Sequence, residues 1–523
     1  VNYRNIDNNA LMLPEKHHVI LIRHCVRSTE KKIAFYNDTT EVKYKAKGFI
    51  GSSLPKWNTP KNWCTEHGME IIKNTGDHIL KTLLSSDKNL GNIQIQFISD
   101  SSKRDVDTSL ALREGMLEAA TKMDERNITV GGLQSLEYDH LLFKVFDGFC
   151  ESNFNSENLA KDIQTRFSTI TPPENDLERM LQLLEKHGGA GKVGRLTDMN
   201  PSLRLSSSFN FTRLEGAINI VRLLSQMVIY SRASEVDPPF LPDISTMAIY
   251  ELFAWTHWFR SVLVVGNVRS AIGGSVIANA VLDALEHGSY RVRGSTTTSC
   301  DENADACVTI LVGHEGTIDN FATAFDLHWV LRPPYISGKV GGEYYPTPPG
   351  SGIHIEYDLQ SQQTELSYLY PVFFPEGEDN STLPSIDCVP LVFNTPLHRQ
   401  LESSFDLIDN NHTTIILPLK KGISSLDVLK DRVNLLLENY PEAKDCYYKA
   451  ANESLHSRQA VVKKRSSALD YNLFSSYLEL ILLSSVILLP LCYYLQRKRR
   501  RRAKTPRNDV HEYSECTQSI EMS

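Results

Sequence analysis

Three short apolar runs, each leading into chemically reactive residues and separated by long helical patterns, constrain this chain more than any other feature. Val19 to Ile22 reads VILI and runs straight into Arg23-His24-Cys25-Val26-Arg27. Ile93 to Ile98 alternates apolar and polar residues before a loop of Ser and Asp that leads to Arg104. Val308 to Val312 ends in Gly313-His314-Glu315. Short apolar runs of this kind are what strands buried on both faces look like. Helical patterns cover residues 214–230, 249–265 and 270–286, between the second run and the third and just before the latter. Strands alternating with helices predict an α/β fold, and the stretch 120–255 is long enough for an inserted α-helical cap.

In open α/β sheets, ligands bind beyond the carboxyl ends of the strands. Two histidines, three arginines and one carboxylate are expected to converge there. Arginine holds phosphoryl oxygens bidentately and neutralises their charge. A neutral imidazole is a competent nucleophile, and neighbouring arginines lower its pKa so that it stays unprotonated. A carboxylic acid protonates a leaving alkoxide. This set suits phosphoryl transfer without a metal or a cofactor. An R-H-x-x-R string alone is weak, since most such strings are surface charge.

The pattern resembles the histidine acid phosphatases, branch two of the histidine phosphatase superfamily. Their R-H-G-x-R-x-P motif is matched by RHCVRST from Arg23 to Thr29, and their H-D motif by His314-Glu315. Bacterial periplasmic phytases and glucose-1-phosphatases are similar over GHEGTIDNFATAFDLHW, LPKWNTPKNWCTEHGME and TPPGSGIHIEYD. The resemblance spans about residues 17 to 450, with a divergent middle. It implies the histidine phosphatase fold, with a mixed, mostly parallel sheet flanked by helices. His24 would become phosphohistidine, Glu315 would be the proton donor, and Arg23, Arg27, Arg104 and His314 would bind the phosphoryl group. Lys31 falls where phytases have a substrate-contacting lysine. The resemblance also implies a disulfide from Cys150 to Cys446. Cys300 and Cys307 flank an acidic loop and are expected to form a second, local pair, while Cys25, Cys64 and Cys388 stay unassigned.

Four positions depart from the family pattern: Cys25 for Gly, Thr29 for Pro, Glu315 for Asp and Gly316 for Thr. Cysteine beside the nucleophile is expected to crowd a close backbone approach. A catalytically silent phosphatase fold serving as a surface receptor is therefore the competing reading. A phosphoglycerate-mutase relative fits the length and the apolar C-terminal segment poorly.

That segment runs from Leu473 to Leu495 and is long enough to cross a hydrocarbon core of ~30 Å. Seven basic residues follow between Arg497 and Lys504. Basic residues stay cytoplasmic, so the preceding residues face the cell exterior or an endolysosomal lumen, as in a single-pass type I membrane protein. A buried core helix followed by a nuclear-localisation run is the alternative. Six glycosylation sequons, at Asn37, Asn127, Asn210, Asn380, Asn411 and Asn452, all precede the segment. The chain starts at Val1 with no leader before the first run, which fits a removed signal peptide or a fragment. A net charge of −8 gives no nucleic-acid footprint. The expected organisation is a catalytic core at 1–119 and 256–454, the cap at 120–255, a stalk at 455–472, the span at 473–495 and a cytoplasmic tail at 496–523. The partners implied are a phosphate monoester and the membrane; oligomeric state is open.

Overall fold

The computed structural model describes residues 15–29, 32–37, 40–45, 55–84, 92–123, 129–131, 136–144, 150, 156–170, 182, 202–206, 211–215, 217–237, 239–288, 290, 292, 300, 304–329, 347–373, 385–390, 392–393 and 422–448. The chain divides into two compact units, Val1–Leu455 and His456–Ser523. The second unit, with nearly all of the expected stalk, the apolar span from Leu473 to Leu495 and the tail, lies outside the described residues. So do Lys31, Asn127, Asn210, Asn380, Asn411 and Asn452, and the side chain of Asn37.

The sheet strands in chain order are β1 (Lys16–Arg23), β2 (Asn92–Ser99), β3 (Thr129–Gly131), β4 (Leu136–Tyr138), β5 (Ala306–Gly313), β6 (Gly352–Asp358), β7 (Gln363–Val372), β8 (Ser385–Pro390) and β9 (Gly422–Ser425). They form one mixed sheet in the order β8-β7-β6-β1-β5-β2-β3, with β9 on β7 and β4 on β2. β1, β5, β2, β3 and β4 pair in parallel, while β6 to β9 add an antiparallel wing. The all-apolar signature of β1 and β5 reflects their central place: Val19 and Leu21 pack into one core and Ile20 and Ile22 into the other. Period-2 alternation thus feeds both faces, as a sheet covered on two sides requires.

The helices that matter for the site are α1 (Glu66–His78), α2 (Lys103–Lys122), α3 (Ala217–Ala233), α4 (Thr246–Leu263), α5 (Val268–His287), α6 (Glu315–Phe325) and α7 (Leu426–Asn439). The three expected helical stretches correspond to α3, α4 and α5, and the expected cap boundary at residue 255 falls inside α4, which continues to Leu263. Several starts are capped as their sequences dictate. Gly68 N–H donates to Thr65 Oγ1, Ala248 N–H to Ser245 Oγ, and Asn267 with Ser270 closes a reciprocal capping box at α5. Among the described residues α5 is the one helix long and apolar enough to cross a membrane, and its fifteen buried residues place it in the core.

Glycine sets how closely α1 and α2 cross. A Cβ at Gly76 would lie 2.3 Å from the Leu112 carbonyl oxygen, and one at Gly115 would lie 1.9 Å from that of Lys73. Backbone against backbone at that range leaves no room for a methyl group. The crossing fixes α2 and, with it, Arg104 in its first turn.

Disulfides join Cys150 to Cys446 and Cys300 to Cys307. A third joins Cys25 to Cys64.

Candidate active site

The register of the parallel strands builds the site. Arg23 on β1 lies opposite Gly313 on β5, and Val312 opposite Ser99 on β2. The residues that leave the three strands are therefore His24, His314 and Asp100, side by side along one sheet edge. Backbone bonds hold this edge: His24 N–H donates to the Gly313 carbonyl, Asp100 N–H to that of Val312, and Gly350 N–H to that of His24.

His24 is 1% exposed. Its Nδ1 is 2.9 Å from the Cys25 carbonyl oxygen. A carbonyl only accepts, so Nδ1 carries the proton and Nε2 keeps a free lone pair. Burial, then Arg104 and Arg23, hold the imidazole well below its usual pKa, against a smaller opposite pull from Glu315. The result is a neutral, oriented imidazole with an open Nε2 lone pair. The rings of His24 and His314 meet edge to face with centroids 5.5 Å apart.

Glu315 opens α6, and its Oε2 lies 3.3 Å from Arg23 Nη2 and 3.9 Å from His24 Nε2. Burial opposes its ionisation, but Arg23, His24, Arg260 and Arg27 together outweigh burial and hold its pKa well below the usual carboxylate range. In the resting site Glu315 is a carboxylate, not the protonated acid. Arg23 also donates to the Thr347 carbonyl and, at 2.6 Å, to Tyr230 Oη. Arg27 donates to Asn62 Oδ1 at 2.8 Å and lies over the Tyr230 ring. Arg104 sits at the base of α2 with its Nε 3.9 Å from Asp105 Oδ2.

His314 stands between two carboxylates. Its Nε2 is 3.4 Å from Asp105 Oδ2 and its Nδ1 is 3.9 Å from Asp100 Oδ2. Burial, then Arg104, lower its pKa to about 4. Asp105 is fully buried, and burial, against smaller opposite pulls from Arg104 and the Ser102 hydroxyl, raises its pKa to about 8.

The departures from the family motif look different in three dimensions. Cys25 was expected to crowd the nucleophile. Instead its side chain is buried in the core beneath the sheet and bonded to Cys64, while its N–H donates to Thr108 Oγ1. A Cβ at Gly316 would meet nothing within 4 Å, so the loss of a side chain there leaves open space. Thr29 is buried at 7% exposure.

Sequence reasoning missed five contributors: Asp105, Arg222, Tyr230, His257 and Arg260. Arg222 on α3 lies over the Phe259 ring at 4.5 Å, and burial brings its pKa down to about 10 in the company of Glu315, Tyr230 and Arg27. Arg260 on α4 pairs with buried Asp319 through two nitrogens and donates to Thr347 Oγ1. A basic residue inside an aromatic helix, as His257 and Arg260 are in α4, was the available signal.

The cap helices thus meet the motif residues over a cavity at the end of the sheet. Comparison by sequence finds no matching family model and no matching curated protein. Comparison of structures does find likeness. A phytase from Citrobacter braakii matches with a TM-score of 0.53 at 15% identity, over 82% of this chain and 99% of its own. Hafnia alvei phytase in complex with myo-inositol hexakis sulphate matches with a TM-score of 0.55 at 14% identity, over 83% and 98%. The Klebsiella sp. ASR1 phytase gives 0.50 at 17%, over 69% and 83%.

The fold is that of the bacterial phytases. Within the phytase fold, two groups of side chains bring potential cation-binding atoms within 4.8 Å of one another: Asp100, Asp105 and His314, and His18, His354 and Glu356. The first already has Lys144 Nζ 3.2 Å from Asp100, with Arg104 beside Asp105. In the second, Lys16 Nζ lies 2.6 Å from Glu356, and His18 Nδ1 is 3.0 Å from His354 Nε2. Both therefore have internal charge balance or a hydrogen bond of their own.

Proposed function

We propose that the chain is a phosphomonoesterase of the histidine acid phosphatase type. His24 Nε2 attacks phosphorus and the ester P–O bond breaks. Arg23, Arg27 and Arg104 hold the phosphoryl oxygens, and His314 adds a hydrogen bond. The leaving oxygen takes a proton from Glu315. Water then attacks the phosphohistidine, gives its proton back to Glu315, and the P–N bond breaks. A bound phosphoryl group draws Arg23 off Glu315 and sets negative charge beside it; both changes raise the carboxyl pKa, and Glu315 takes up from solvent the proton that it then donates.

The observation that carries this reading is the free lone pair of a buried, neutral His24 among guanidinium groups. Turnover of p-nitrophenyl phosphate at about pH 5 tests it: activity in the wild type and none in His24→Ala is expected, and equal rates end the reading. Phytate is the first natural substrate to try, because the Hafnia alvei protein of this fold is a phytase that accommodates myo-inositol hexakis sulphate. A second reading, a silent fold acting as a binding protein, has one observation behind it: the Glu315 carboxylate occupies Arg23 and faces His24 at rest.

The catalytic unit is anchored by the span from Leu473 to Leu495 and faces the exterior or an endolysosomal lumen. The support is the charge imbalance: seven basic residues after the span against Arg458, Lys463, Lys464 and Arg465 before it. In sealed microsomes, a tag after Ser523 should be digested while the preceding domain is protected; the reverse pattern overturns the topology.

A further inference from the structure

Next to Glu315 lies a narrow, partly open pocket between the motif residues and the cap helices α3 and α4. Its walls include Arg23, Gln226, Tyr230, Phe253, His257 and Glu315. The proton donor of the proposed reaction thus lines it, and the group that leaves phosphorus would lie at its mouth.

His257 is 2% exposed, stacked on Phe253 with ring centroids 5.9 Å apart. Its Nδ1 is 3.3 Å from Arg260 Nη1. A guanidinium has donors and no acceptor, so Nδ1 can only accept, and the ring proton sits on Nε2. Burial, then Arg260 and Arg23, keep the ring neutral. Nε2–H has no acceptor among the described residues. A buried donor left without a partner is costly, and a bound acceptor recovers that cost. Arg260 is engaged by Asp319 and Thr347, and Arg23 by Glu315, Tyr230 and Thr347 with its Nε alone unpartnered, so His257 Nε2–H is an uncharged donor open on a wall whose guanidinium groups are mostly committed.

Resting on the phosphatase reading, we propose that His257 is a specificity residue whose Nε2–H donates to an uncharged oxygen of the leaving group, selecting phosphate esters of alcohols that carry a hydroxyl next to the scissile ester. A neutral donor beside the Glu315 carboxylate matches a hydroxyl or ether oxygen better than a second dianionic phosphate, which calls for cations. A site built to hydrogen-bond one oxygen discriminates strongly against analogues that lack it.

The test compares glycerol 2-phosphate, which has hydroxyls adjacent to the ester, with phenyl phosphate, which has none, on the full chain. His257→Phe keeps the stack on Phe253; His257→Gln keeps a neutral donor. His257→Phe is expected to lose about 10- to 100-fold in kcat/KM for glycerol 2-phosphate and to stay within about threefold for phenyl phosphate, with His257→Gln recovering most of the loss. Parallel losses on both substrates, or no loss on either, overturn the proposal. If the wild type turns over neither compound, the phosphatase reading fails by itself. The selectivity is then read from calorimetric Kd values for the same two compounds: a wild-type preference abolished in His257→Phe supports the specificity role, and an unchanged ratio overturns it.

Discussion

Cys25 and Cys64 are disulfide-bonded with their Cα atoms 5.7 Å apart, so the residue after His24 is tied to the residue before the N-cap of α1. The bond is reinforced by a backbone bridge between Arg27 and Cys64 and by Thr65 N–H donating to the Val26 carbonyl. It closes a loop of 39 residues that carries Arg27. Cys64→Ser should therefore cost about 2–4 kcal/mol of stability by releasing that loop in the unfolded chain. It should also lower kcat/KM by about 10- to 100-fold, since small displacements of reacting groups are costly. Urea unfolding and p-nitrophenyl phosphate kinetics read both; an unchanged midpoint would show that the bond constrains nothing.

Glu315 supports two predictions of opposite sign. Its carboxylate competes with phosphate for Arg23 and repels the dianion, so Glu315→Gln should bind inorganic phosphate more tightly than the wild type. On the proposed mechanism the same change removes the proton donor, so kcat should fall by about 10²–10⁴-fold for alkyl esters and far less for p-nitrophenyl phosphate, whose leaving group needs little protonation. Product-inhibition constants and kcat on both ester types check this. Weaker phosphate binding in the variant would mean that Glu315 does not oppose the anion.

The crossing of α1 and α2 offers a structural check on Arg104. Gly115→Ala places a methyl group on the Lys73 carbonyl and must push the helices apart. Overpacking of this kind costs about 1–3 kcal/mol. Because Arg104 begins the same helix, KM should rise along with the loss of stability. A variant with wild-type KM and melting temperature would show that the helices slide freely at this point.

The edge that carries the candidate site was legible because parallel strands align their ends. Once Val19 to Ile22, Ile93 to Ile98 and Val308 to Val312 read as strands, His24, Arg104 and His314 had to approach one another. Period-2 and all-apolar patterns report burial, and burial at a sheet centre fixes position. The cap was not legible at the same level. α4 reads as an apolar helix with Tyr250, Trp255 and Trp258 in the core, and nothing in a 3.6-residue period says that His257 faces a cavity and Arg260 a buried carboxylate. Those roles arise from which helix packs opposite, as for Tyr230 against Arg23. The effect of Cys25 was misread for a related reason. Side-chain direction after a strand depends on the turn, and the turn sends this sulfur to the far core, where Cys64 waits 39 residues on.

Asp105 gives the pH prediction. It follows Arg104, is fully buried, and has the Ser102 hydroxyl beside it. The charged and titratable groups around it are Arg104 on its own helix, His314 from the start of α6, Asp100 after β2 and Lys144 beyond the short helix His140–Phe143. Burial, which outweighs the Arg104 guanidinium, raises its pKa from 3.8 to about 8. The folded protein therefore holds a proton at Asp105 that the unfolded chain releases above its ordinary carboxylate pKa. Its contribution to stability is fully present below about pH 4 and is lost as pH rises through about 8. An asparagine side chain at this position is neutral throughout, so Asp105→Asn should leave stability unchanged relative to the wild type at pH 4 and raise it progressively toward pH 8. Melting temperatures of the two proteins across that range measure the difference. A gap that is constant with pH, or that narrows as pH rises, would mean that Asp105 is ionised in the folded state and is stabilised by Arg104 and His314.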